Sequence, residues 1–342
     1  MKKIIIFGAT GQVGVYVTDY AKEYFAKRGR YEVVASGRRK DDLSGVFGLP
    51  YVPVDVTRAE DFSALPQRDV HAVVMMAAQL PIRAGGQDGY NQLNTNVFGM
   101  YNVLEYCRRV GADRLLFTQT NYDMKDYFDS AEPIQAGWKP SFSYTDDHAM
   151  YVIAKNTAIE MMEHYYQKYG LKKFVFRLPN IYAYNSNPYI WKNGSLVKRP
   201  LYVMIDRAIA GQPLEIWGDP GYRKDMVYVK DLAQMMCRCI EANLERGLFN
   251  GSSGMPVTQE QQVRTIAKVF CPPDKPSDIV YCPEKPDGGG QIYDVTEARE
   301  MLGYRPEYDC EKLFLDIRAE MAQKRFAAIL GLPAAQQSGG EA

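Results

Sequence analysis

Short apolar runs alternate with longer stretches of mixed character through the first half of the chain. Each run places apolar residues at consecutive positions, as in a strand buried on both faces of a parallel sheet. The stretches between them repeat apolar residues at the spacing of a helix face. The strand candidates are residues 3–7, 32–35, 51–54, 72–76, 114–118 and 173–178, and the helix candidates are residues 13–27, 97–110 and 151–169. This alternation predicts an α/β fold with a doubly wound parallel sheet.

The regular pattern weakens after about Pro179. Residues 180–200 are rich in Asn, Tyr, Pro and Gly, which predicts a long loop. The remaining candidates are helices at 201–210, 231–243 and 294–302, the last with a capping-box-like start, and a strand at 214–217. We therefore expect a sheet domain of residues 1–179 joined by parts of 212–250, a smaller α+β C-terminal domain of residues 180–211 and 251–330, and a disordered tail at 331–342.

Composition narrows the classes of function. Lys plus Arg and Asp plus Glu each number 41, so the formal net charge is zero, and we expect no bulk attraction to nucleic acid or an anionic membrane. We expect no export signal and no run of the roughly 20 apolar residues that a spanning helix needs. The six cysteines form no CxxC motif and only three histidines occur, so no metal site is expected. The pattern predicts a cytoplasmic protein with reduced thiols.

A glycine-rich turn follows the first strand. Gly8, Gly11 and Gly14 separate an apolar run from a predicted helix. Glycine permits a tight turn and close backbone approach, while a helix N-terminus offers free N–H groups and partial positive charge to a pyrophosphate. The alternative is a tight turn without a ligand. The strand–turn–helix context favours a Rossmann-type dinucleotide site, formed by Gly8, Thr10, Gly11, Gln12, Val13 and Gly14.

The end of the second strand bears on which dinucleotide binds. NAD enzymes usually place an acidic residue here for the ribose 2′-hydroxyl, whereas an arginine accommodates a 2′-phosphate. Gly37 occupies the position of the acid, and Arg38 and Arg39 follow it. NADP(H) is therefore favoured and NAD(H) kept open, because the alternative for the two arginines is a solvated loop. Further cofactor contacts are expected after the third and fourth strands, from Asp55, Val56, Ala77 and Ala78.

A tyrosine and a lysine four residues apart are the candidate catalytic groups. Tyr151 and Lys155 fall on one face of a predicted helix, one turn apart. A free tyrosine has a pKa of about 10, and positive charge from Lys155 and a nicotinamide favours its phenolate, so that it can exchange protons near neutral pH. Thr120, at the end of the fifth strand, can add a hydroxyl at the same edge of the sheet. On its own, this spacing also fits an amphipathic helix with a packed Tyr and a solvated Lys.

In this order, the glycine turn, Asp55, Asn96, Thr120 and the Tyr151/Lys155 pair resemble the extended short-chain dehydrogenase/reductase family, and most closely its nucleotide-sugar epimerase/dehydratase branch. Three later segments are similar to motifs of that branch: RLPNIY from Arg177, KDMVYVKDLA from Lys224 and DVTEAREMLGYRP from Asp294. The resemblance implies an NAD(P)-binding first domain, a substrate-binding second domain, a nucleotide-sugar substrate and a homodimer.

The resemblance also assigns roles to individual residues. Tyr151 is the acid or base, Lys155 activates it and holds the nicotinamide ribose, and Thr120 hydrogen-bonds the reacting sugar oxygen. Asn96 and Pro179 join the cofactor contacts, although a purely structural role is the alternative for Asn96.

Three further residues are assigned to the substrate. Asn180 contacts the diphosphate, and Lys224 or the adjacent Arg223 supplies positive charge. Asn180 as a turn cap, and Asp231 as the cap of its own helix, are the structural alternatives.

The sequence differs from the motifs of this branch at two places, and these differences bear on which reaction and which substrate to expect. Dehydratases of this branch carry an acidic pair after the strand-end hydroxyl, whereas Asn121 and Tyr122 follow Thr120 here, which disfavours elimination of water. Near residues 285–290, where UDP-sugar enzymes often have an arginine for the diphosphate, only Lys285 is basic.

The sequence therefore favours an NAD(P)-dependent epimerase that acts on a nucleotide sugar by reversible hydride transfer through a keto-sugar. An NADPH-dependent reductase of a keto-sugar nucleotide or of another carbonyl compound remains open. A regulator that binds NADP(H) without chemistry is disfavoured, since both Tyr151 and Lys155 are present.

Overall fold

The computed structural model describes residues 1–81, 89–192, 195–286 and 288–331, with only the backbone for residues 191, 192 and 195. Its centre is a parallel sheet of seven strands, in the order β13-β6-β5-β4-β1-β2-β3. These strands are β1 (Lys2–Phe7), β2 (Tyr31–Gly37), β3 (Tyr51–Pro53), β4 (Val70–Met75), β5 (Arg114–Thr120), β6 (Lys172–Leu178) and β13 (Arg246–Asn250). The predicted Rossmann-type doubly wound sheet is confirmed.

Both faces of the sheet are covered, which explains the continuous apolar runs. Ile4 and Ile6 pack into one hydrophobic cluster, whereas Ile5 and Phe7 pack into another on the opposite face. Successive strand side chains point to opposite faces, so each position must be apolar when helices lie on both sides. The first cluster extends to side chains of the second half, such as Phe314.

Helices cover this sheet and form much of the second half. They are α1 (Gly14–Ala26), α2 (Ser44–Phe47), α3 (Gly89–Leu93), α4 (Gly99–Val110), α5 (Ala149–Tyr169), α6 (Pro200–Ile209), α7 (Val229–Glu241), α8 (Gln259–Phe270), α9 (Thr296–Leu302), α10 (Cys310–Gln323) and α11 (Ala327–Leu330). The helix predicted from residue 97 instead begins as a π-helical turn, Asn94–Phe98, that leads into α4. No helix of the described residues is long and apolar enough to cross a membrane.

The strand order reverses next to β1, since β2 lies on one side of it and β4 on the other. Ligands of open α/β sheets bind outside the carboxyl ends of the strands at such a reversal. The glycine turn follows β1 at that point, which makes this edge the expected cofactor site.

The prediction of a long loop over residues 180–200 is wrong. This segment contains β7 (Ile181–Tyr182), β8 (Tyr189–Lys192) and β9 (Ser195–Lys198). The last two pair with each other in an antiparallel hairpin, and β7 pairs with β12 (Val227–Tyr228). Tertiary pairing overrode the weak local pattern, because strand propensity depends on the neighbours that a strand finds.

Two more small sheets complete the second half. In one, β10 (Leu214–Trp217) pairs with β15 (Ile279–Cys282); in the other, β11 (Arg223–Asp225) pairs with β14 (Pro256–Thr258). The tail predicted to be disordered lies, from residue 332 onward, outside the described residues.

The sequence suggested that Asp231 caps its own helix, but the structure shows no such cap. The buried carboxylate of Asp231 instead accepts the backbone N–H groups of Glu307 and Tyr308, at 2.7 and 3.1 Å. Burial raises the pKa of Asp231 to about 6. The side chain thus joins α7 to the segment before α10.

Candidate active site

The turn after β1 requires glycine for two physical reasons. Gly8 adopts φ +84°, and a Cβ on it would stand 2.6 Å from the backbone nitrogen of Ala77. A Cβ on Gly14 would stand 2.0 Å from the Gly8 carbonyl oxygen, a contact that real structures do not show. The Gly11 N–H donates to that same oxygen at 2.9 Å. The turn thus lies directly against the end of β4 and leads into α1 through Val13, a backbone cradle that fits a pyrophosphate.

Thr10 explains why no acid stands at the end of β2. A Cβ on Gly37 would lie 2.8 Å from Thr10 Oγ1, so a side chain at position 37 would collide with the glycine turn. The Tyr51 hydroxyl shares its one proton between the carbonyl oxygens of Gly37 and Arg39, at 3.0 and 2.8 Å, and so holds the backbone on either side of Arg38.

The two arginines after β2 have different surroundings. Arg39 donates through Nε to Asp41 Oδ2 at 3.0 Å and through Nη1 to the carbonyl oxygen of Ala328 at 2.8 Å. Arg38 is exposed and has no hydrogen bond or ion pair within the described residues. The sequence placed both at the cofactor, but only Arg38 has a free guanidinium here.

Other predicted cofactor residues already hold parts of the fold. The Asp55 carboxylate accepts the backbone N–H and the hydroxyl of Thr57, at 3.0 and 2.8 Å. Asn96 is 2% exposed; its Oδ1 accepts the N–H of Gln79 at 3.0 Å, and its Nδ2 donates to the Gln79 carbonyl at 3.1 Å. Asn96 therefore anchors the segment that follows Ala77 and Ala78, which favours the structural alternative.

Val56 and Pro179 are buried next to predicted site positions. The carbonyl of Val56 accepts a hydrogen bond from Asn102 Nδ2 at 2.9 Å, and Pro179 directly follows β6. Both can offer only backbone and apolar surface to a ligand.

The glycine turn has a basic neighbour that sequence reasoning missed. Arg199, just before α6, donates through Nη1 to Gln12 Oε1 at 2.7 Å. It lies 187 positions from Gln12 along the chain, and no local pattern links the two segments. The side chain brings positive charge from the second half to the expected pyrophosphate position.

Thr120 is held at the carboxyl end of β5 by its neighbours. Its Oγ1 accepts the N–H of Tyr122 at 3.2 Å, and its own N–H donates to Gln119 Oε1 at 2.9 Å. The residue is buried. A substrate oxygen can still engage the hydroxyl, because the Tyr122 bond uses only an acceptor position and leaves the O–H proton available.

Tyr151 and Lys155 lie in the first two turns of α5 and are both buried, 7% and 2% exposed. The Lys155 Nζ stands 3.9 Å from the centre of the Phe117 ring on β5. Neither side chain makes a hydrogen bond or ion pair within the described part of the chain. Burial raises the pKa of Tyr151 above its usual range and lowers the pKa of Lys155 to about 7.

Desolvation causes both pKa shifts, and it favours the neutral forms of Tyr151 and Lys155. The phenolate expected from the sequence depends also on the positive charge of a nicotinamide, and it stays a prediction. Depression of the tyrosine pKa requires charge that a ligand brings and a protonated Lys155.

A buried polar network supports this pair and was not predicted. Gln119 Nε2 donates to Asn156 Oδ1 at 2.6 Å, which ties the end of β5 to α5 beside Lys155. Asp123, three residues beyond Thr120, pairs with Arg177 at 2.9 Å, and both side chains are buried. The sequence singled out Arg177 only as part of a motif; its partner could be found only in three dimensions.

The predicted substrate residues lie on separate surfaces. Asn180 is exposed just beyond β6. Arg223 is exposed and lines a cavity of about 190 Å³ with Asp129, Tyr222 and Gly290. Lys224 is half-buried, and burial lowers its pKa. Because adjacent residues of a strand point to opposite faces, Arg223 and Lys224 do not form one basic patch.

Lys285 is not free to replace the missing arginine. Its Nζ pairs with Glu215 Oε2 at 2.6 Å and lies 4.8 Å from the Trp217 ring. All six cysteines are unpaired, and the described residues contain no group of three or more His, Cys, Asp or Glu that could hold a metal ion.

Most of the chain is similar to known proteins. A putative UDP-glucose 4-epimerase of Methanocaldococcus jannaschii is 22% identical over 90% of this chain and 95% of its own length. The UDP-glucose 4-epimerase of Thermotoga maritima, solved with UDP-glucose, superposes with a TM-score of 0.72 at 21% identity, covering 94% of this chain and 99% of that one.

A third similar structure was solved with a dinucleotide. The UDP-glucuronic acid 4-epimerase of Bacillus cereus, in complex with NAD, gives a TM-score of 0.69 at 16% identity over 93% of this chain and 96% of that one. The model of the NAD dependent epimerase/dehydratase family matches residues 4–250. The chain therefore belongs to the NAD dependent epimerase/dehydratase family of enzymes.

Proposed function

We propose that this chain is an NAD(P)-dependent epimerase that acts on a nucleotide sugar by reversible hydride transfer through a keto-sugar. The observation that carries the proposal is the buried Tyr151/Lys155 pair, which the described residues leave without hydrogen bonds beside the strand end that bears Thr120. Neither the Tyr151 hydroxyl nor the Lys155 Nζ is among the fully enclosed polar atoms that lack a partner in the described residues. Both groups can therefore form hydrogen bonds with a ligand bound at this edge of the sheet.

The residues present fit a dinucleotide. The glycine turn leaves no space for a Cβ at Gly8 or Gly14 and directs the N-terminus of α1 toward the carboxyl edge of the sheet. When bound, the nicotinamide ring supplies the acceptor and donor of hydride. We propose that Gly8, Thr10, Gly11, Gln12, Val13 and Gly14 hold the pyrophosphate, with Arg199 close to Gln12.

Thr120, Tyr151 and Lys155 are the side chains proposed to transfer the proton of the reacting sugar hydroxyl. We propose that Thr120 donates a hydrogen bond to the reacting sugar oxygen, and that the Tyr151 phenolate removes the hydroxyl proton as the carbon is oxidised. Tyr151 returns the proton when the keto-sugar is reduced from its other face, so acid and base are one residue. Lys155 as an ammonium stabilises the phenolate and binds the nicotinamide ribose. Since burial opposes each charge alone, the two charges form at lower cost as a pair.

The remaining assignments are part of the same proposal. Asn180 contacts the diphosphate, with Lys224 favoured over Arg223 as the cation because it lies half-buried. Asp55, Val56, Ala77, Ala78 and Pro179 form the walls of the dinucleotide site. Residues 1–179 with parts of 212–250 bind the dinucleotide, and residues 180–211 and 251–330 bind the sugar nucleotide, in a cytoplasmic protein.

Cofactor stoichiometry separates the epimerase from the reductase. We expect purified protein to retain nicotinamide dinucleotide and to convert one member of a panel of UDP-, GDP-, CDP- and dTDP-sugars without added cofactor. Extraction and mass spectrometry of the bound dinucleotide, with product analysis by NMR, measure both. Consumption of one NADPH per product would instead support the reductase, for which the two arginines after β2 are the supporting observation.

The homodimer is also a proposal. Phe98 and Tyr101 are 61% and 50% exposed, three positions apart on the helical segment that leads into α4. Exposed aromatic neighbours on a helix suit a protein interface.

Tyr101→Glu should therefore shift the protein from dimer to monomer by light scattering after size exclusion. Val46→Glu, at an exposed apolar position on α2, is the matched control and should leave the mass unchanged. A dimer that survives Tyr101→Glu would place the interface elsewhere.

A further inference from the structure

The segment after α10 packs against the elements that would hold the dinucleotide. This C-terminal segment, residues 324–331, includes Phe326, which is 7% exposed and meets the Tyr16 ring of α1 edge-on at 5.1 Å. Arg325 Nη1 donates to Asp19 Oδ2 of the same helix at 2.8 Å. Because α1 begins at the glycine turn, the C-terminal segment is fixed to the helix that carries the expected pyrophosphate site.

The same segment also reaches the loop after β2. Ala328 offers its carbonyl oxygen to Arg39 Nη1 at 2.8 Å, while Asp41 takes the Nε of that guanidinium at 3.0 Å. The charge of Arg39 therefore has a carboxylate partner, and its direction is set by a backbone carbonyl. Arg39 joins the loop to the C-terminal segment.

In the part of the chain that the structure describes, Arg38 lacks the partners that hold Arg39. It is exposed, and within the described ranges it has no carboxylate or carbonyl partner. The backbone on both sides of it is held by the Tyr51 hydroxyl, at 3.0 Å to Gly37 and 2.8 Å to Arg39. An uncompensated guanidinium on a fixed backbone is suited to bind a phosphate.

We propose that the C-terminal segment is part of the dinucleotide site, and that it holds Arg39 as a positioning residue so that Arg38 alone distinguishes a 2′-phosphate from a 2′-hydroxyl. The inference rests on the proposed function, since it presupposes a dinucleotide at the glycine turn. Arg39 then contributes to the affinity for NAD and NADP alike, because it fixes the loop, and not to the choice between them.

Docking of the C-terminal segment and binding of the dinucleotide must affect each other reciprocally. If the docked C-terminal segment favours the binding conformation of the loop, a bound dinucleotide must stabilise the docked segment by the same free energy. The amides of Ile329 and Leu330 donate to the Phe326 carbonyl at 3.0 and 2.8 Å, and that of Gly331 donates to Ala327 at 2.8 Å. Their hydrogen exchange reports whether the segment is docked.

The first test measures the dissociation constants of NAD⁺ and NADP⁺ by calorimetry, with any bound dinucleotide removed. Arg38→Gln should raise the dissociation constant of NADP⁺ about tenfold, because one charged hydrogen bond is lost. The dissociation constant of NAD⁺ should not change. Arg39→Gln should raise the dissociation constants of NAD⁺ and NADP⁺ about fivefold each, which is the low end of the usual coupling between two sites of a protein.

The second test follows hydrogen exchange of residues 327–331 with and without dinucleotide. Either dinucleotide should slow this exchange in the natural chain and not in Arg39→Gln. Selective loss of NADP⁺ affinity in Arg39→Gln, an unchanged ratio of the NADP⁺ and NAD⁺ dissociation constants in Arg38→Gln, or hydrogen exchange that is the same with and without dinucleotide would each overturn the inference. Failure of the natural chain to bind either dinucleotide would instead remove the proposed function itself.

Discussion

Tyr151→Phe should lower kcat by a factor of about 10² to 10⁴, the usual contribution of one acid or base. The substitution removes only the phenolic oxygen, which makes no hydrogen bond within the described residues, so the fold loses nothing by its removal. Affinity for the dinucleotide should stay within about twofold of the natural value, because the glycine turn and Lys155 remain. Steady-state turnover of the substrate found in the panel and calorimetry with the dinucleotide measure the two effects.

Tyr144→Phe is the matched control for this prediction. Tyr144 lies in the loop before α5 and is 77% exposed, so loss of its hydroxyl should leave turnover unchanged. If Tyr151→Phe works at the natural rate, a different group moves the proton and the roles proposed for Tyr151 and Lys155 fail together.

Asp123→Asn should destabilise the protein by about 3–5 kcal/mol, the range for removing one partner of a buried ion pair. Arg177 is 2% exposed and would keep its charge, with only neutral acceptors left: the carbonyl of Ala136 at 2.9 Å, Asn250 Oδ1 at 3.5 Å and the amide oxygen of the introduced side chain. The urea midpoint, fitted with an unchanged slope, reports the loss of free energy of unfolding.

Asp126→Asn is the control, since Asp126 lies with Asp123 in the short 3-10 helix Asn121–Tyr127 that follows Thr120. Asp126 is exposed and accepts one hydrogen bond, from Ser141 Oγ at 2.7 Å, so its loss should cost no more than about 0.5 kcal/mol. The double variant Asp123→Leu/Arg177→Met should recover part of the stability, because it leaves no unpaired buried charge. A natural midpoint for Asp123→Asn would show that the pair does not hold the segment after Thr120.

The first half of the fold follows from local sequence, and much of the second half does not. Strands such as β1 and β5 contain continuous apolar runs, at residues 4–7 and 115–117, because both of their faces are covered, and that pattern is visible without tertiary information. The strands β7 and β8 are only two and four residues long, too short to show a periodic pattern, and each pairs with a distant or adjacent strand.

Some features of the candidate site follow from local sequence, and others depend on contacts between distant segments. The glycine turn and the Tyr151/Lys155 spacing are local patterns, and the structure shows why the turn needs glycine at positions 8 and 14. The partners of Arg39 and Gln12 lie 289 and 187 positions away. Sequence could assign these residues to a cofactor by position, but it could not show what else they bind.

A crystal structure of the chain with its dinucleotide would show whether the glycine turn, Thr120, Tyr151 and Lys155 meet at one ligand. We expect the pyrophosphate on the N–H groups of the glycine turn, the nicotinamide ribose within about 3 Å of Lys155 Nζ, and the Tyr151 and Thr120 hydroxyls facing the ring. A dinucleotide bound elsewhere, or a nicotinamide turned away from α5, would contradict this expectation.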